Sequence, residues 1–319
     1  MDLAERILAG DVRAAARLMR MLDDGDARAA AVMSALHPRT GRARIVGVTG
    51  SPGTGKSTLI DALIAAFRSA DRRVGVVAVD PTSPFTGGAI LGDRVRMQRH
   101  ATDAGVFIRS LATRGRLGGL SASTGEVVSV LDAAGYERIV VETVGVGQDE
   151  VEIVGQADVV VVVVSPGQGD EVQAHKAGVL EIADVLVVNK ADVAGADRTA
   201  RDLHLAVDLA AARAKHPKVL RTVASTGEGV PGLVAEVERL LAEMDREGRS
   251  AEVARARTEA VVADMAAAAF AARIREVMAS DPAVRDAVDR VHRREAAPRD
   301  AADLLAGRVV AAGTHGGGQ

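Results

Sequence analysis

Gly50-Ser51-Pro52-Gly53-Thr54-Gly55-Lys56-Ser57-Thr58 follows an apolar run at 44–49 and opens a helical pattern over 58–69. Its spacing is G-x-x-x-x-G-K-[ST], and a strand before it with a helix after it is the context in which that spacing cradles phosphate. The glycines let the backbone curl so that successive N–H groups face one anion, and the helix N-terminus adds partial positive charge. Residues 50–58 are therefore expected to contact nucleotide phosphates, with Lys56 reaching the β- and γ-phosphates and Ser57 ligating Mg2+. The plain alternative is a glycine-rich strand-to-helix turn carrying a solvated lysine.

Outward from this loop, short β-branched runs alternate with longer helical patterns from 44 to 247. The runs lie at 44–49, 74–80, 106–111, 138–142, 159–165, 185–189 and 219–224. Several are continuously apolar, as strands buried on both faces of a parallel sheet are. An α/β fold with a mostly parallel sheet follows. Residues 1–43 read as an extension of two short helices, the second capped by Asp11, before His37-Pro38-Arg39-Thr40-Gly41 breaks the pattern. From 248 to 312 the β signal is gone and an Ala/Arg/Glu-rich helical arm is expected, with Asp281-Pro282 starting one of its helices. The polar, glycine-rich residues 313–319 read as a disordered tail.

Composition narrows the function. The chain has 319 residues, is 48% apolar and 2% aromatic, and has no Trp, so base-stacking platforms are not expected. Its 40 basic and 43 acidic residues nearly cancel, which argues against a nucleic-acid partner. Zero cysteines exclude disulfides, Cys-ligated zinc, Fe–S clusters and thiol nucleophiles. The histidines show no ligand spacing, and no metal beyond Mg2+ is expected. No apolar stretch approaches the ~20 residues of a membrane span, and the acidic start does not read as a signal peptide. The expectation is a cytoplasmic protein with no membrane association.

Further motifs fall at later strand ends. Asn189-Lys190-Ala191-Asp192 is N-K-x-D, in which Asp192 accepts the N1 and N2 hydrogens of guanine, a donor pair that adenine lacks; Asn and Asp also close strands as ordinary turn residues. Ala224-Ser225-Thr226, after the next run, would close over the base edge. Glu142 begins an E-x-x-G motif ending at Gly145: the carboxylate would hold Mg2+ or orient water and the glycine N–H would meet the γ-phosphate, or Glu142 caps the next helix. Asp80 and Asp93 are read as Mg2+-linked acids or as turn residues, and Gln148 as a water-positioning or plain loop residue. The arginines of 94–100 and Arg109, Arg114 and Arg116 are read as switch or partner elements or as a solvated face.

Taken together the chain resembles the metallochaperone-type P-loop GTPases, and within them the MeaB/ArgK type associated with methylmalonyl-CoA mutase. The resemblance is carried by the phosphate loop, by 79–88 (VDPTSPFTGG), 91–94 (LGDR), 109–115 (RSLATRG), 142–148 (ETVGVGQ), 166–173 (PGQGDEVQ), 176–178, 181–184 and N-K-x-D. It implies GTP/GDP and Mg2+ as ligands, Asp80 and Asp93 in a first switch, and Glu142 in a second. It also implies a third mobile loop from Gly167 to Glu181, with Gln168, Asp170 and Lys176, that communicates with the mutase. The helical arm would make a homodimer. The implied function is a Mg2+-dependent GTPase acting as chaperone and timer for an adenosylcobalamin-dependent acyl-CoA mutase, with the cobalamin on the partner. The competing readings are a nickel metallochaperone, disfavoured by the missing cysteines, a P-loop kinase or ATPase, and a nucleotide-locked scaffold with negligible turnover.

Overall fold

The computed structural model of the chain describes residues 1–80, 97–112, 122–143, 157–167, 181–209 and 216–314. Two compact units emerge, Met1–Thr258 and Glu259–Gln319.

The first unit is built on a seven-stranded sheet. Its strands are β1 (Arg44–Thr49), β2 (Val74–Asp80), β3 (Val106–Ala112), β4 (Arg138–Glu142), β5 (Val159–Val164), β6 (Val185–Val188) and β7 (Lys218–Arg221). Their order across the sheet is β3-β2-β4-β1-β5-β6-β7, and every ladder is parallel. The continuously apolar strands follow from this arrangement, because successive side chains enter opposite cores. Val160, Val162 and Val164 of β5 join one cluster, whereas Val159, Val161 and Val163 join the other.

One face is covered by α1 (Leu3–Leu8), α2 (Val12–Asp23), α3 (Arg28–Leu36), α5 (Ala122–Ala133) and α6 (Ala196–Leu209), the other by α4 (Lys56–Ser69) and α7 (Val230–Arg246). The N-terminal extension thus has three α-helices where two were expected. Gly25 at φ 68° stops α2, and the Asp26 carboxylate accepts the Arg28 N–H to start α3. Asp11 caps α2 by accepting from the Arg13 and Ala14 N–H groups, as its position suggested.

The first turns of α8 (Arg249–Ser280) belong to this unit: Val253 packs on the second core, and the half-buried Arg257 forms an ion pair with the buried Asp158, whose other oxygen accepts the Ile45 N–H at 2.7 Å. The compact unit accordingly runs eleven residues past the expected boundary at 247.

The second unit holds the rest of α8 with α9 (Pro282–His292) and α10 (Pro298–Thr314). Asp281 caps α9 through the Ala283 N–H at 2.8 Å. Val277, Val284 and Val309 form its small core. Helix α10 continues through Thr314, so residues 313 and 314 are helical and not the start of a tail. The last five residues lie outside the described part.

Candidate nucleotide site

Parallel strands present all their C-terminal ends at one sheet edge, and open α/β sheets bind ligands outside that edge. The 50–58 loop leaves β1 there. Gly50 has φ 140°, and a Cβ at this position would stand 2.0 Å from the Val163 carbonyl oxygen of neighbouring β5. Gly55 has φ 90°, and its Cβ would meet Asn189 Nδ2 at 2.5 Å. Both positions therefore exclude side chains by backbone conformation and by contact. Lys56 opens α4 from inside the loop, only 7% exposed, its ammonium donating to the Gly50 carbonyl at 2.6 Å and the Ser51 carbonyl at 3.2 Å. Thr54 Oγ1 donates back to the Ser51 carbonyl at 2.9 Å.

Strand register sets the next residue. Val48 of β1 pairs with Glu142 at the end of β4, which brings the carboxylate level with the start of the loop. Ser57 Oγ donates to Glu142 Oε1 at 3.0 Å, and both residues are buried. Beside them, the buried hydroxyls of Thr143 and Thr49 are 3.0 Å apart. A hydroxyl and a carboxylate are hard oxygen donors of the kind Mg2+ takes, so this pair fits that ion. Among the described residues no cluster of three or more His, Asp or Glu side chains forms a metal site.

Asn189, just past β6, is the hinge of the other half. Its Nδ2 donates to the Thr54 carbonyl at 2.9 Å, and its Oδ1 accepts from Thr222 Oγ1 and the Ala224 N–H, both at 3.1 Å. Lys190 follows at φ 54° and donates from Nζ to the Gly53 carbonyl at 2.8 Å. Asp192 is exposed one turn further, and Ser225 and Thr226 are exposed beyond the buried Ala224.

The match to known proteins fits this arrangement. The family model "Methylmalonyl Co-A mutase-associated GTPase MeaB" matches residues 15–279. The chain belongs to the MeaB family of GTPases. A Pyrococcus horikoshii relative, designated a GTPase by its name, is 48% identical over 313 residues, covering 97% of this chain and 98% of its own. The mouse "Methylmalonic aciduria type A homolog, mitochondrial" is 38% identical over 190 residues, covering 58% of this chain and 46% of its own. In fold, the chain is similar to the crystal structure of a LAO/AO transport system kinase, with TM-score 0.67, 24% identity and 96% coverage of both chains.

In this MeaB-family GTPase the structure brings together Gly50, Ser51, Pro52, Gly53, Thr54, Gly55, Lys56, Ser57, Glu142, Asn189, Lys190 and Ala224. Thr58 lies in the first turn of α4. Asp80 closes β2, and only its backbone is described. Gly167, exposed at φ 90°, and Glu181, exposed, stand on either side of 168–180. Asp93, Gly145, Gln148, Gln168, Asp170 and Lys176 lie outside the described residues, as do Arg94, Arg114 and Arg116. Arg109 of β3 is not a free basic group: it forms an ion pair with Asp23 at the end of α2. Two site residues were missed by sequence reasoning, Thr49 and Thr222. Their one sequence signal is a hydroxyl placed at the end of an apolar run, ahead of a motif.

Proposed function

We propose that this GTPase binds GTP with Mg2+ at the 50–58 loop, hydrolyses it to GDP and phosphate, and uses the turnover as a timer on an adenosylcobalamin-dependent acyl-CoA mutase. In that role it gates loading of the mutase cofactor and protects the loaded enzyme. The observation that carries the reading is the convergence of three motifs far apart in sequence: Asn189 reaches Thr54, Lys190 reaches Gly53, and Ser57 meets Glu142.

Each residue then has a physical task. The loop N–H groups hold the phosphates, and Lys56 exchanges its carbonyl contacts with Gly50 and Ser51 for β- and γ-phosphate oxygens. Asp192 accepts the N1 and N2 hydrogens of guanine, while the Ala224-Ser225-Thr226 turn, tied to Asn189, closes the base edge. Ser57, Glu142, Asp80 and Asp93 hold or surround the metal, and Glu142 with Gly145 senses the γ-phosphate. Mg2+, when bound, neutralises charge on the phosphates.

The partner reading is supported by the description of the family model, which names the mutase. A third switch comprising Gly167, Gln168, Asp170, Lys176 and Glu181 would transmit the nucleotide state. A homodimer is supported by α8, on which Val262, Met265, Phe270, Ile274 and Met278 are exposed and Val277 alone is buried. The cytoplasm is the proposed location. Among the described residues no helix is long and apolar enough to cross a membrane.

The test is turnover. GTP hydrolysis is expected to be slow alone and to rise when a cobalamin-dependent acyl-CoA mutase is added, with Lys176→Ala blunting the rise more than it changes GTP affinity. Equal rates with and without the cognate mutase would remove the timer.

A further inference from the structure

At the sheet edge opposite the phosphate loop, where the chain enters β1 and β4, lies a cavity of about 250 Å³. Its lining includes Leu8 of α1, Arg39 and Arg42 ahead of β1, Asp132 of α5, and Tyr136 and Glu137 ahead of β4. None of these residues belongs to the nucleotide site.

The two acids of the lining are already committed. Asp132 accepts three backbone N–H groups, from Gly41 at 2.5 Å, Arg42 at 3.3 Å and Ala43 at 3.0 Å. Glu137 is paired with Arg72 at 2.5 Å and accepts the Arg73 N–H at 3.2 Å. The two arginines of the lining are not: among the described residues neither Arg39 nor Arg42 has a carboxylate partner. The cavity wall therefore carries two uncommitted guanidiniums and no uncommitted carboxylate.

The remaining polar residue of the lining, Tyr136, is only 2% exposed and its hydroxyl is buried, so it offers the cavity no accessible donor. The Arg73 guanidinium lies over its ring, 4.4 Å from the centroid, and is itself committed to the Ala134 carbonyl at 2.7 Å. Leu8 and Ala133 add an apolar wall.

We propose that this cavity binds a small organic oxyanion, a carboxylate or phosphate monoester, whose oxygens accept from the Arg39 and Arg42 guanidiniums. Guanidinium forks suit both anions, and the volume limits the ligand to metabolite size.

Calorimetric titration of the full chain tests this, with the phosphate loop filled by Mg2+ and a non-hydrolysable GTP analogue and with inorganic phosphate and succinate as separate probes. At least one probe should bind saturably with a dissociation constant of about a millimolar or tighter. Affinity should fall roughly tenfold or more in the Arg39→Ala/Arg42→Ala double variant, with nucleotide affinity unchanged. Arg39 and Arg42 are exposed, so the double variant is expected to fold. Binding of phosphate alone identifies a phosphate monoester, of succinate alone a carboxylate, and of both a general oxyanion site. Saturable binding of neither probe up to about 10 mM, or equal affinity in the wild type and the double variant, overturns the proposal.

Discussion

On the proposed function, phosphate affinity turns on Lys56. A cation held inside the loop at 7% exposure acts at low effective dielectric, where charge-assisted hydrogen bonds are strongest. Lys56→Ala is expected to weaken GTP by about 1.5–3 kcal/mol, roughly 10- to 150-fold, read by calorimetry. Near-wild-type affinity would remove the phosphate assignment. On the proposed function, base choice rests on Asp192, which is exposed. Asp192→Asn replaces a carboxylate that accepts two hydrogens with an amide matched to the N1-H and C2-oxo edge of xanthine. GTP should weaken and XTP should gain in competition binding. ATP competing as well as GTP with the unmutated protein would contradict guanine recognition.

Among the elements, β7 and α7 show how charge pairs fasten a sheet edge. Glu236 of α7 is buried and accepts from Arg239 Nη2 and Lys218 Nζ, each at 2.8 Å. Its hydrogen bond to Arg239, with Lys218 contributing, holds its carboxyl below the ordinary 4.5. A carboxyl depressed in the folded state adds stability above its unfolded pKa, and that stability is lost as pH falls through the lower folded value. Glu236→Gln should therefore be less stable than the wild type at pH 7, and the difference should shrink steadily below about pH 4.5. Urea melts across that range measure it. A difference that stays constant down to pH 2 would mean the contribution of Glu236 is packing and not charge.

For the whole molecule, the open question is assembly. Helix α8 runs 32 residues, with Phe270 62% exposed and Ile274 one turn beyond it. Burying such a stripe against a second copy would remove apolar area from water at about 25 cal/mol per Å². The wild type should sediment as a homodimer at micromolar concentration, and Phe270→Glu/Ile274→Glu should sediment as a monomer with GTP affinity retained. A monomeric wild type, or a variant that stays dimeric, would place the seam elsewhere or abolish it.

Much of this protein is legible from local chemistry. The G-x-x-x-x-G-K-[ST] loop, the N-K-x-D turn and Glu142 each end an apolar run, and valine-rich continuity alone implied a parallel sheet covered on both faces. Local pattern also placed the Asp11 and Asp281 caps, because a cap requires only the next three residues. Other features needed the fold. That Asn189 holds Thr54 and Ala224 together, that Thr222 and Thr49 belong to the site, and that Arg109 is tied up by Asp23 all depend on which strands lie side by side. The order β3-β2-β4-β1-β5-β6-β7 is a property of long-range packing, and no single run encodes its neighbour. The third N-terminal helix was hidden because α2 and α3 are separated by one glycine turn within a continuous helical pattern. The cavity beside Tyr136 was invisible for the same reason as the sheet order. Its lining comes from segments nearly a hundred residues apart, which only the packing of α5 and β4 against the chain entering β1 brings to one place.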